Sequence, residues 1–520
     1  MRPASLAVAR RISRGLTGPA RRHFVASPRS MLAEDDAMTR LTSNAVLFDA
    51  IKNGRLVERD GKPVTISHTK RAAAEGRPAR SVQIEVTKPA EAYLQADRLV
   101  LYSTEHGRVV LPFHYLRDLC KCPKCVDPHS KQRSFRTNDI PRDVYPRVVR
   151  WDGTHVELEW ANDIAGYAKD HTSRWHIEYL KNPVLDPHEQ KSPNMRPLRW
   201  TNNLMKRLQH WVSYEDYMNN EEKFAAAMRN LSRLGLIFVK DIPDSREMVA
   251  KIATRMGPLR NTFYGETWDV KTVPQAKNVA YTNQFLGFHM DLMYMNEPPG
   301  YQLLHCLENS CDGGESLFAD SFRAAKIMEA EFPAEFKSLC RRHLGYEYNH
   351  EEHKYHNTRP VFQLDPKTKE LRYINYSPPF QSALPEYEGK KGPGNSGFGD
   401  LKRALTHFTK LIESSHAVFQ LKLNPGECVI FNNRRVVHAR NQFNTSTGSR
   451  WLAGAYVDED ALLSRYAVCG AKKPLAWRAA DPFNGLREVR KEIAGTTANE
   501  AKAALAEARR QEKQSTVAES

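Results

Sequence analysis

The chain has 520 residues, of which 41% are apolar and 27% are charged, so it can hold two or three domains with a sizeable core. No apolar run reaches the length of about eighteen residues that a membrane-spanning helix needs, and we predict no membrane span. The formal net charge of +16 suits anionic ligands, but no recognisable RNA-binding motif accompanies it, so we expect no nucleic-acid partner.

Residues 1–31 hold a distinct part of this positive charge. They contain seven arginines and no lysine or acidic residue, and the stretch LAVARRISRGL can form a basic amphipathic helix. This composition is typical of a mitochondrial transit peptide and lacks the continuous apolar segment of a secretory signal. We therefore predict a transit peptide over residues 1–31 and a mitochondrial matrix location. The alternative is a disordered basic tail.

Residues 32–85 are polar and charged, and we predict a poorly ordered lead-in there. Short alternating runs follow, namely RLVLYS, RVVLPFHYL, RVVRWDGTHVELEW and WHIEYLKNP, and these predict strands separated by turns. They indicate a small β-rich domain over residues 86–183. The next stretch, residues 184–200, is rich in proline and charge and is predicted to be a linker.

The β-rich domain contains Cys120, Cys122 and Cys125 in the spacing C-x-C-x2-C. In a reducing compartment, such a cluster indicates a metal or redox site rather than a disulfide framework. Three thiolates on one loop can hold a structural, tetrahedral Zn(II) if a fourth ligand completes the site. We choose His171 for that position, with alternatives at positions 129 and 176. The competing hypothesis is a redox C-x-x-C pair at residues 122–125.

Residues 201–484 are predicted to form a second domain. The stretches NEEKFAAAMRNLSRLG (220–235) and FRAAKIMEAEFPAEFKSL (322–339) have helical patterning. The candidate strands are LIFVKDI, GYQLLHCLE, ESLFADS, LRYINY, ECVIFNN and RWLAGAYVD. A β core with helices at its front predicts an α+β, mainly β, domain of barrel or jelly-roll type. We predict a helical or disordered tail over residues 485–520.

The segment FHMDLMY (288–294) places His289 and Asp291 two residues apart in an apolar run. In an extended strand the two side chains would point to the same face. Such a pair is weak evidence alone, because three His-x-Glu pairs also occur in the chain. His438, just after the predicted strand ECVIFNN, completes the facial triad of non-haem Fe(II) oxygenases. The competing interpretation is that all three residues are satisfied polar groups of the core.

A 2-oxoglutarate co-substrate would chelate the iron and leave its far carboxylate in need of a partner. Arginine suits that role, because its planar fork binds a carboxylate bidentately. Arg450 begins the predicted strand RWLAGAYVD, twelve residues after His438, and strand pairing can bring it back to the pocket. Arg435 and Arg440 are nearer to His438 in sequence and are the alternatives.

Ordered blocks from about residue 100 to 470 resemble the γ-butyrobetaine and trimethyllysine dioxygenases, in the TauD-like branch of Fe(II)/2-oxoglutarate oxygenases. The blocks are residues 280–320 (AYTNQFLGFHMD and onward), LNPGECVIFNNRRVVHAR and RWLAGAYVDEDALLSR. The resemblance implies a double-stranded β-helix, the three iron ligands named above, and Arg450 as the 2-oxoglutarate partner. It also implies an N-terminal zinc domain and a homodimer. We expect O2 as oxidant and ascorbate as reductant.

Aromatic residues flank the metal motifs in sequence, at Tyr264, Trp268, Tyr281 and Tyr456. Singly, such residues are usually core residues, but together their faces can surround a quaternary ammonium group, with each contact contributing about 0.5–2 kcal/mol. The γ-butyrobetaine branch has a comparable aromatic cage, and FYGETW resembles its segment. The same resemblance implies that Asn278 helps to hold the substrate carboxylate.

These features predict hydroxylation of γ-butyrobetaine to L-carnitine, a step of carnitine biosynthesis. The chain departs from the family pattern at Leu292, where some relatives place a polar or aromatic residue after the iron-ligand Asp. Trimethyllysine hydroxylation ranks second, because residues 262–268 resemble that branch less. The non-enzymatic alternative is a mitochondrial binding or assembly factor on a retired oxygenase fold, which metal content and 2-oxoglutarate turnover would distinguish.

Overall fold

The computed structural model describes residues 64–67, 81–87, 89–95, 97–167, 171–181, 197–271, 282–383 and 397–473, together with Leu475 and Trp477. The chain divides between Leu185 and Asp186 into two compact units. The predicted transit peptide, the predicted C-terminal tail, Asn278 and Tyr281 lie outside the described residues. Within the described ranges, no helix combines the length and apolar character that crossing a membrane requires.

The N-terminal unit is mainly β. Its strands are β1 (Val64–Ser67), β2 (Ser81–Val86), β3 (Glu91–Gln95), β4 (Arg98–Ser103), β5 (Gly107–Pro112), β6 (Tyr145–Trp151), β7 (His155–Asn162) and β8 (Thr172–His176). Its helices are α1 (Phe113–Asp118) and α2 (Ile177–Lys181), and a 3₁₀ turn spans Thr137–Asp139. One sheet has the order β1-β2-β6-β7-β8 and the other β3-β4-β5. Buried residues of both sheets, such as Leu99 and Val149, share one core.

This unit differs from the sequence predictions in two respects. First, β1 lies in the segment predicted to be a poorly ordered lead-in, where it pairs with β2. Second, two runs predicted to be strands end as helices. Pro112 stands at the N-cap of α1, where a missing N–H costs nothing. In α2, Ile177 and Leu180 are both buried, at the three-residue spacing of one helix face.

The C-terminal unit contains more helices than the N-terminal unit, and its main sheets have six and four strands. Its helices are α3 (Asn202–Leu208), α4 (Tyr214–Asn219), α5 (Glu221–Leu234), α6 (Met248–Met256), α7 (Ser321–Glu331), α8 (Pro333–Arg341), α9 (Gly397–Ile412) and α10 (Glu459–Lys472), with a 3₁₀ turn at Pro378–Phe380. Its strands are β9 (Trp211–Ser213), β10 (Leu236–Lys240), β11 (Thr267–Lys271), β12 (Leu286–His289), β13 (Tyr301–Asn309), β14 (Asp312–Gly313), β15 (Ser316–Asp320), β16 (His343–Asn349), β17 (Lys354–Pro360), β18 (Phe362–Leu364), β19 (Leu371–Ile374), β20 (Phe419–Leu421), β21 (Cys428–Asn432), β22 (Val436–Arg440), β23 (Phe443–Asn444) and β24 (Arg450–Val457).

The large sheet has the strand order β11-β24-β13-β21-β10-β9, and the smaller sheet has the order β12-β22-β15-β20. Residues of the large sheet alternate between two cores, as a period of two requires. Leu304 and Phe431 pack toward the smaller sheet, where Phe431 meets Phe318 with ring centroids 5.6 Å apart. Their neighbours Leu303 and Ile430 pack instead in the core that contains α5, α6 and α10. The unit is therefore layered, with helices covering one face of the large sheet.

Consecutive strands alternate between the two sheets in the manner of a jelly roll, with β12, β15, β20 and β22 in the smaller sheet and β13, β21 and β24 in the large one. The hairpin of β16 and β17 and that of β18 and β19 are inserted between β15 and β20. This winding brings β12 and β22 side by side, although their first residues are 150 positions apart in the chain. The mainly β class predicted for this unit is confirmed.

Helix prediction succeeded where capping residues were present. At the start of α5 the Asn220 side chain accepts hydrogen bonds from two backbone N–H groups, and at its end Gly235 adopts a left-handed φ of 72°. The single helix predicted over residues 322–339 is wrong, because the structure has two helices, α7 and α8. Pro333 opens α8, a position that proline favours because its ring fixes a helical φ and its missing N–H is not needed there.

Candidate active site

Two histidines meet where β12 pairs with β22. His289 is the last residue of β12, and it lies directly opposite His438 in the register of the two strands. Their ring centroids are 4.1 Å apart, and both residues are at least nine-tenths buried. The Nδ1 of His289 donates to the carbonyl of Gly287 at 2.8 Å. That bond selects the tautomer in which Nε2 keeps a free lone pair for a metal.

Asp291 joins the two imidazoles, but not from the extended strand that the sequence predicted. β12 ends at His289, and Asp291 lies in the turn that follows. Its Oδ1 is 3.3 Å from His289 Nε2 and 3.9 Å from His438 Nε2, while its Oδ2 accepts a hydrogen bond from the Tyr456 hydroxyl at 2.7 Å. One carboxylate oxygen therefore faces both imidazoles, and the other is held by Tyr456.

The charge states of these residues suit a divalent cation. Burial raises the pKa of Asp291, but its contacts with His289, His438 and the Tyr456 hydroxyl outweigh burial and bring the pKa to about 2. Burial, reinforced by His289, lowers the pKa of His438 to about 3. The ligand atoms of the three residues lie within 4.8 Å of one another. A carboxylate with two imidazoles, each turned toward the others, fits Fe(II) in a facial triad.

Of the three candidate arginines, two are engaged in other contacts. Arg435 forms a buried two-pronged ion pair with Asp320 at 2.7 and 3.1 Å. Arg440 donates to the backbone carbonyls of Thr282 and Gln284, each at 2.8 Å. Arg435 is therefore neutralised by a carboxylate, and Arg440 is tied to the segment before β12, so Arg450 remains the first candidate.

Arg450 is a buried guanidinium without a carboxylate partner among the described residues. It is 8% exposed, and burial lowers its pKa to about 10. Its Nε donates to the carbonyl of Gly314 at 3.3 Å. Gly314 has a φ of +74°, and a Cβ there would lie 3.1 Å from Arg450 Cδ, so glycine is what admits the side chain. Residues of a strand two, four or six apart share a face, which places Arg450 on the Tyr456 side of β24.

The predicted aromatic cage is partly assembled in the structure. Trp268 pairs with Gly454 across β11 and β24, and its ring lies 5.1 Å from that of Tyr456. A Cβ on Gly454 would lie 2.4 Å from the Trp268 ring, so the absence of a side chain makes room for the indole. Burial raises the pKa of Tyr456, and the nearby groups that add to this shift include Asp291 and Tyr264. Tyr264, Trp268 and Tyr456 therefore lie on the Asp291 side of the site.

Further aromatic residues, which the sequence pattern did not single out, lie around the site. Tyr294 is 1% exposed and lies 5.5 Å from Tyr348 and 5.9 Å from Tyr355, which belong to β16 and β17. Phe263 stacks on Tyr355 at 5.1 Å and lies 4.8 Å from Tyr348. Sequence could have indicated Tyr294, because it is the last residue of FHMDLMY, the segment that carries His289 and Asp291. The hairpin residues follow it by more than fifty positions, and nothing local connects them to the metal ligands.

In the N-terminal unit, the four predicted zinc ligands lie together. The ligand atoms of Cys120, Cys122, Cys125 and His171 are within 4.8 Å of one another. His171 Nε2 lies 3.4 Å from Cys120 Sγ and 3.3 Å from Cys125 Sγ. Hydrogen bonding with Cys125, against the opposing effect of burial, lowers the pKa of Cys120 to about 4. A thiolate set closed by an imidazole suits a structural Zn(II) better than a two-cysteine redox pair.

The alternative fourth ligands, His129 and His176, lie elsewhere. The backbone N–H of His129 donates to Asp127 in an exposed turn. His176 stands opposite His155 in the pairing of β7 with β8, with ring centroids 4.9 Å apart. Neither belongs to the cysteine cluster.

A second layer of contacts orients the cysteine cluster. His171 Nδ1 donates to Asp163, whose other oxygen accepts from Arg117. Arg117 is fully buried between the rings of Phe135 and Tyr167, and it also donates to Cys125 Sγ at 3.3 Å. The carboxylate fixes the tautomer of His171, and the guanidinium offsets the negative charge of the thiolates.

We expect Asp163→Asn to weaken zinc binding by roughly 10- to 100-fold, the usual effect of losing a contact that orients a metal-bound histidine. Zinc release to a chromogenic chelator, followed over time, measures the change. Asp152→Asn is the control, because Asp152 lies in an exposed turn and accepts local bonds from the backbone N–H groups of Thr154 and His155. Equal zinc retention in the two variants would contradict the role assigned to Asp163.

Comparison with known proteins matches two separate regions of the chain to described families. Residues 202–456 match the family described as Taurine catabolism dioxygenase TauD, TfdA family, and residues 92–181 match the N-terminal family of γ-butyrobetaine hydroxylase-like proteins. The chain is 32% identical to Dioxygenase str8 of Strobilurus tenacellus over 74% of its own length and 92% of that protein.

Two other relatives carry names that specify a substrate. γ-Butyrobetaine dioxygenase of Pseudomonas sp. (strain AK-1) is 29% identical, over 70% of this chain and 91% of that protein. Mitochondrial trimethyllysine dioxygenase of Mus musculus is 28% identical, over 70% of this chain and 85% of that protein. The two identities are too close to separate the substrates.

Proposed function

The chain belongs to the TauD, TfdA family of Fe(II)- and 2-oxoglutarate-dependent dioxygenases, and from that premise we propose that it hydroxylates a trimethylammonium substrate, with γ-butyrobetaine as the first candidate. The observation that carries the proposal is the buried cluster of His289, Asp291 and His438 beside a set of aromatic side chains. Trimethyllysine is the second candidate, because relatives named for that substrate are equally similar.

In this proposal His289, Asp291 and His438 hold Fe(II), and Arg450 binds the far carboxylate of 2-oxoglutarate. Bound Fe(II) supplies O2 activation and the oxidative decarboxylation of 2-oxoglutarate that leads to C–H hydroxylation. The chain supplies position. Tyr456 holds Asp291 Oδ2, which turns Oδ1 toward both imidazoles. Double-stranded β-helix winding supports the same assignment, because it pairs the two strands that carry the histidines.

The aromatic side chains support a cationic substrate. Tyr264, Trp268 and Tyr456 are the proposed cage, and Tyr294 lies against it. The quadrupole of an aromatic ring attracts a cation placed over its face, and this attraction grows when water is excluded. Asn278 and Tyr281 remain proposed substrate contacts by family resemblance alone.

The test supplies the full chain with Fe(II), ascorbate, O2 and 2-oxoglutarate, and offers γ-butyrobetaine and trimethyllysine in parallel. Succinate and hydroxylated product are followed by NMR. Hydroxylation of γ-butyrobetaine supports the first candidate, and hydroxylation of trimethyllysine alone supports the second. Succinate release with neither substrate hydroxylated would overturn the trimethylammonium assignment and leave the oxygenase assignment intact. This outcome would direct attention to other substrates, because the 32% identical relative is named as a dioxygenase without a stated substrate.

We expect Tyr264→Leu to raise the KM for the trimethylammonium substrate by roughly 2- to 30-fold, the equivalent of about 0.5–2 kcal/mol for one cation–π contact. The carbon isostere 5,5-dimethylhexanoate separates head-group charge from shape, because it replaces the ammonium nitrogen of γ-butyrobetaine by an uncharged carbon and keeps the carboxylate. Its binding should change much less in the variant. Tyr214→Leu, a tyrosine packed against the helical core, is the control. Equal losses for both ligands would contradict a cage that recognises charge.

Three further assignments belong to the same proposal. Cys120, Cys122, Cys125 and His171 hold a structural Zn(II), which their mutual proximity supports. Residues 1–31 direct the protein to mitochondria, which the mitochondrial trimethyllysine dioxygenases among its relatives support. Two chains form a homodimer by family resemblance. Metal analysis, localisation of a tagged chain and light scattering test the three separately.

A further inference from the structure

Asn433 connects the two parts of the chain that carry the proposed iron ligands. It is fully buried in the turn between β21 and β22, five residues before His438. Its Oδ1 accepts from the backbone N–H of Asp291 at 2.8 Å. Its Nδ2 donates to the carbonyl of Asp291 at 3.0 Å and to that of Pro299 at 3.1 Å. Its own backbone N–H donates to the carbonyl of Gly300 at 2.9 Å.

These contacts take the place of a missing strand partner. Asp291 has left β12, so no neighbouring strand satisfies its backbone N–H and carbonyl. Buried backbone polar groups require partners, and the amide of Asn433 provides a donor and an acceptor in the arrangement that another strand would. Leu292 then adopts a φ of 59°, which residues with a Cβ disfavour. The turn after the metal carboxylate is therefore held in a conformation that it would not select by itself.

We propose that Asn433 is a positioning residue that fixes Asp291 relative to His438 and thereby sets the geometry of the iron site. The inference rests on the proposed function, because it assumes that the two residues share an Fe(II) ion. The turn that contains Asn433 holds the backbone of Asp291 through the Asn433 side chain. The same turn leads directly into β22, the strand that carries His438. A shift of that turn would move both ligands.

Other contacts hold the same turn without touching the ligand residue itself. Arg359 donates to the carbonyls of Met293, Met295 and Asn296, and Asn357 donates to that of Met295. These bonds anchor the far side of the turn to β17. Only the Asn433 amide, of the side chains in the described part of the chain, bonds both backbone groups of Asp291. Loss of the Asn433 amide should therefore lower Fe(II) affinity by more than the accompanying loss of folding stability would explain.

The test replaces Asn433 with Ala in the full chain. We expect Fe(II) affinity, measured by anaerobic titration calorimetry, to fall by roughly 10- to 100-fold. We also expect more succinate per hydroxylated product, because a displaced ligand leaves the oxidant poorly aligned with the substrate. Asn433→Asp is the second variant. It is nearly isosteric and keeps the acceptor for the Asp291 N–H but removes the amide donor, so it tests the same contacts with little loss of packing.

Asn230→Ala is the matched control. Asn230 is 8% exposed, and its amide bonds the ring of His210 on the helix-covered side of the large sheet. We expect this variant to lose stability but to bind Fe(II) like the parent chain. Unchanged Fe(II) affinity in a folded Asn433 variant, or an equal loss in the Asn230 variant, would overturn the positioning role. Absence of Fe(II) binding in the parent chain would overturn the proposed function instead.

Discussion

Replacement of Asp291 with Ala is expected to lower Fe(II) affinity by several hundred- to several thousand-fold and to reduce 2-oxoglutarate turnover to background. Asp291 is the anionic member of the proposed triad, and its Oδ1 faces both imidazoles. Removing one partner from a buried charge interaction costs about 3–5 kcal/mol, which corresponds to a loss of that size in affinity. Anaerobic calorimetry measures the affinity, and succinate formation measures the turnover.

Asp291→Asn separates charge from shape, because the amide keeps the size of the carboxylate and can still accept the Tyr456 hydrogen bond. We expect it to bind Fe(II) weakly as well. Asp365→Asn is the distant control, since Asp365 accepts turn bonds from Lys367 and Thr368 on the protein surface. Full iron binding by either Asp291 variant would mean that the carboxylate is not a ligand, and the core interpretation of FHMDLMY would then stand.

Sequence could select the three residues that the structure brings together in the candidate metal site, but it could not predict the conformation that joins them. Alternation in FHMDLMY suggested that His289 and Asp291 share a face of one strand. In the structure, the strand stops between them and Leu292 turns the chain with a positive φ. A local pattern carries no trace of this turn, because it depends on Asn433, which lies 142 positions further along the chain.

The choice among the arginines also depended on distant residues. Arg435 lies only three residues before His438, yet Asp320 of β15 neutralises it. Arg450 has no such carboxylate in the part of the chain that the structure describes, and it is accommodated because Gly314 has no side chain. Sequence spacing favoured Arg450 but left Arg435 and Arg440 as alternatives, and the contacts that distinguish the three come from the pairing of β24 with β13 and the packing around it.

Zinc-ligand prediction depended less on distant contacts, because three of the four residues lie on one short loop. The C-x-C-x2-C spacing restricts the thiolates to a small region whatever the surrounding fold. Only the fourth ligand needed tertiary structure, and β8 follows His171 directly. Prediction of the aromatic residues depended most on contacts between residues that are distant in sequence. Tyr348 and Tyr355 reach the site from an inserted hairpin, and aromatic residues are too common in cores for sequence alone to select them.

Arg450→Met is expected to raise the KM for 2-oxoglutarate by roughly 30- to several thousand-fold while stabilising the protein that lacks the co-substrate. The first effect follows because truncating one partner of a buried charge pair costs about 2–5 kcal/mol. The second effect follows from burial, which lowers the pKa of Arg450 to about 10 because the charged form is poorly solvated there. Methionine removes that unfavourable charge and places an apolar side chain of similar length near the Phe443 ring, whose centroid lies 5.6 Å from the guanidinium carbon of Arg450.

The two effects have separate measurements. Succinate formation gives the KM, and thermal unfolding with and without 2-oxoglutarate gives the stability. In the parent chain, co-substrate at one hundred times its Kd should stabilise the fold by about 2.7 kcal/mol, and the Arg450 variant should lose this response at the same concentration. Arg435→Met is the matched contrast, because it leaves Asp320 buried and unpaired and should lower Tm without changing the KM. A variant of Arg450 that loses stability and keeps its KM would show that this guanidinium is a structural group, and the carboxylate of 2-oxoglutarate would need another partner.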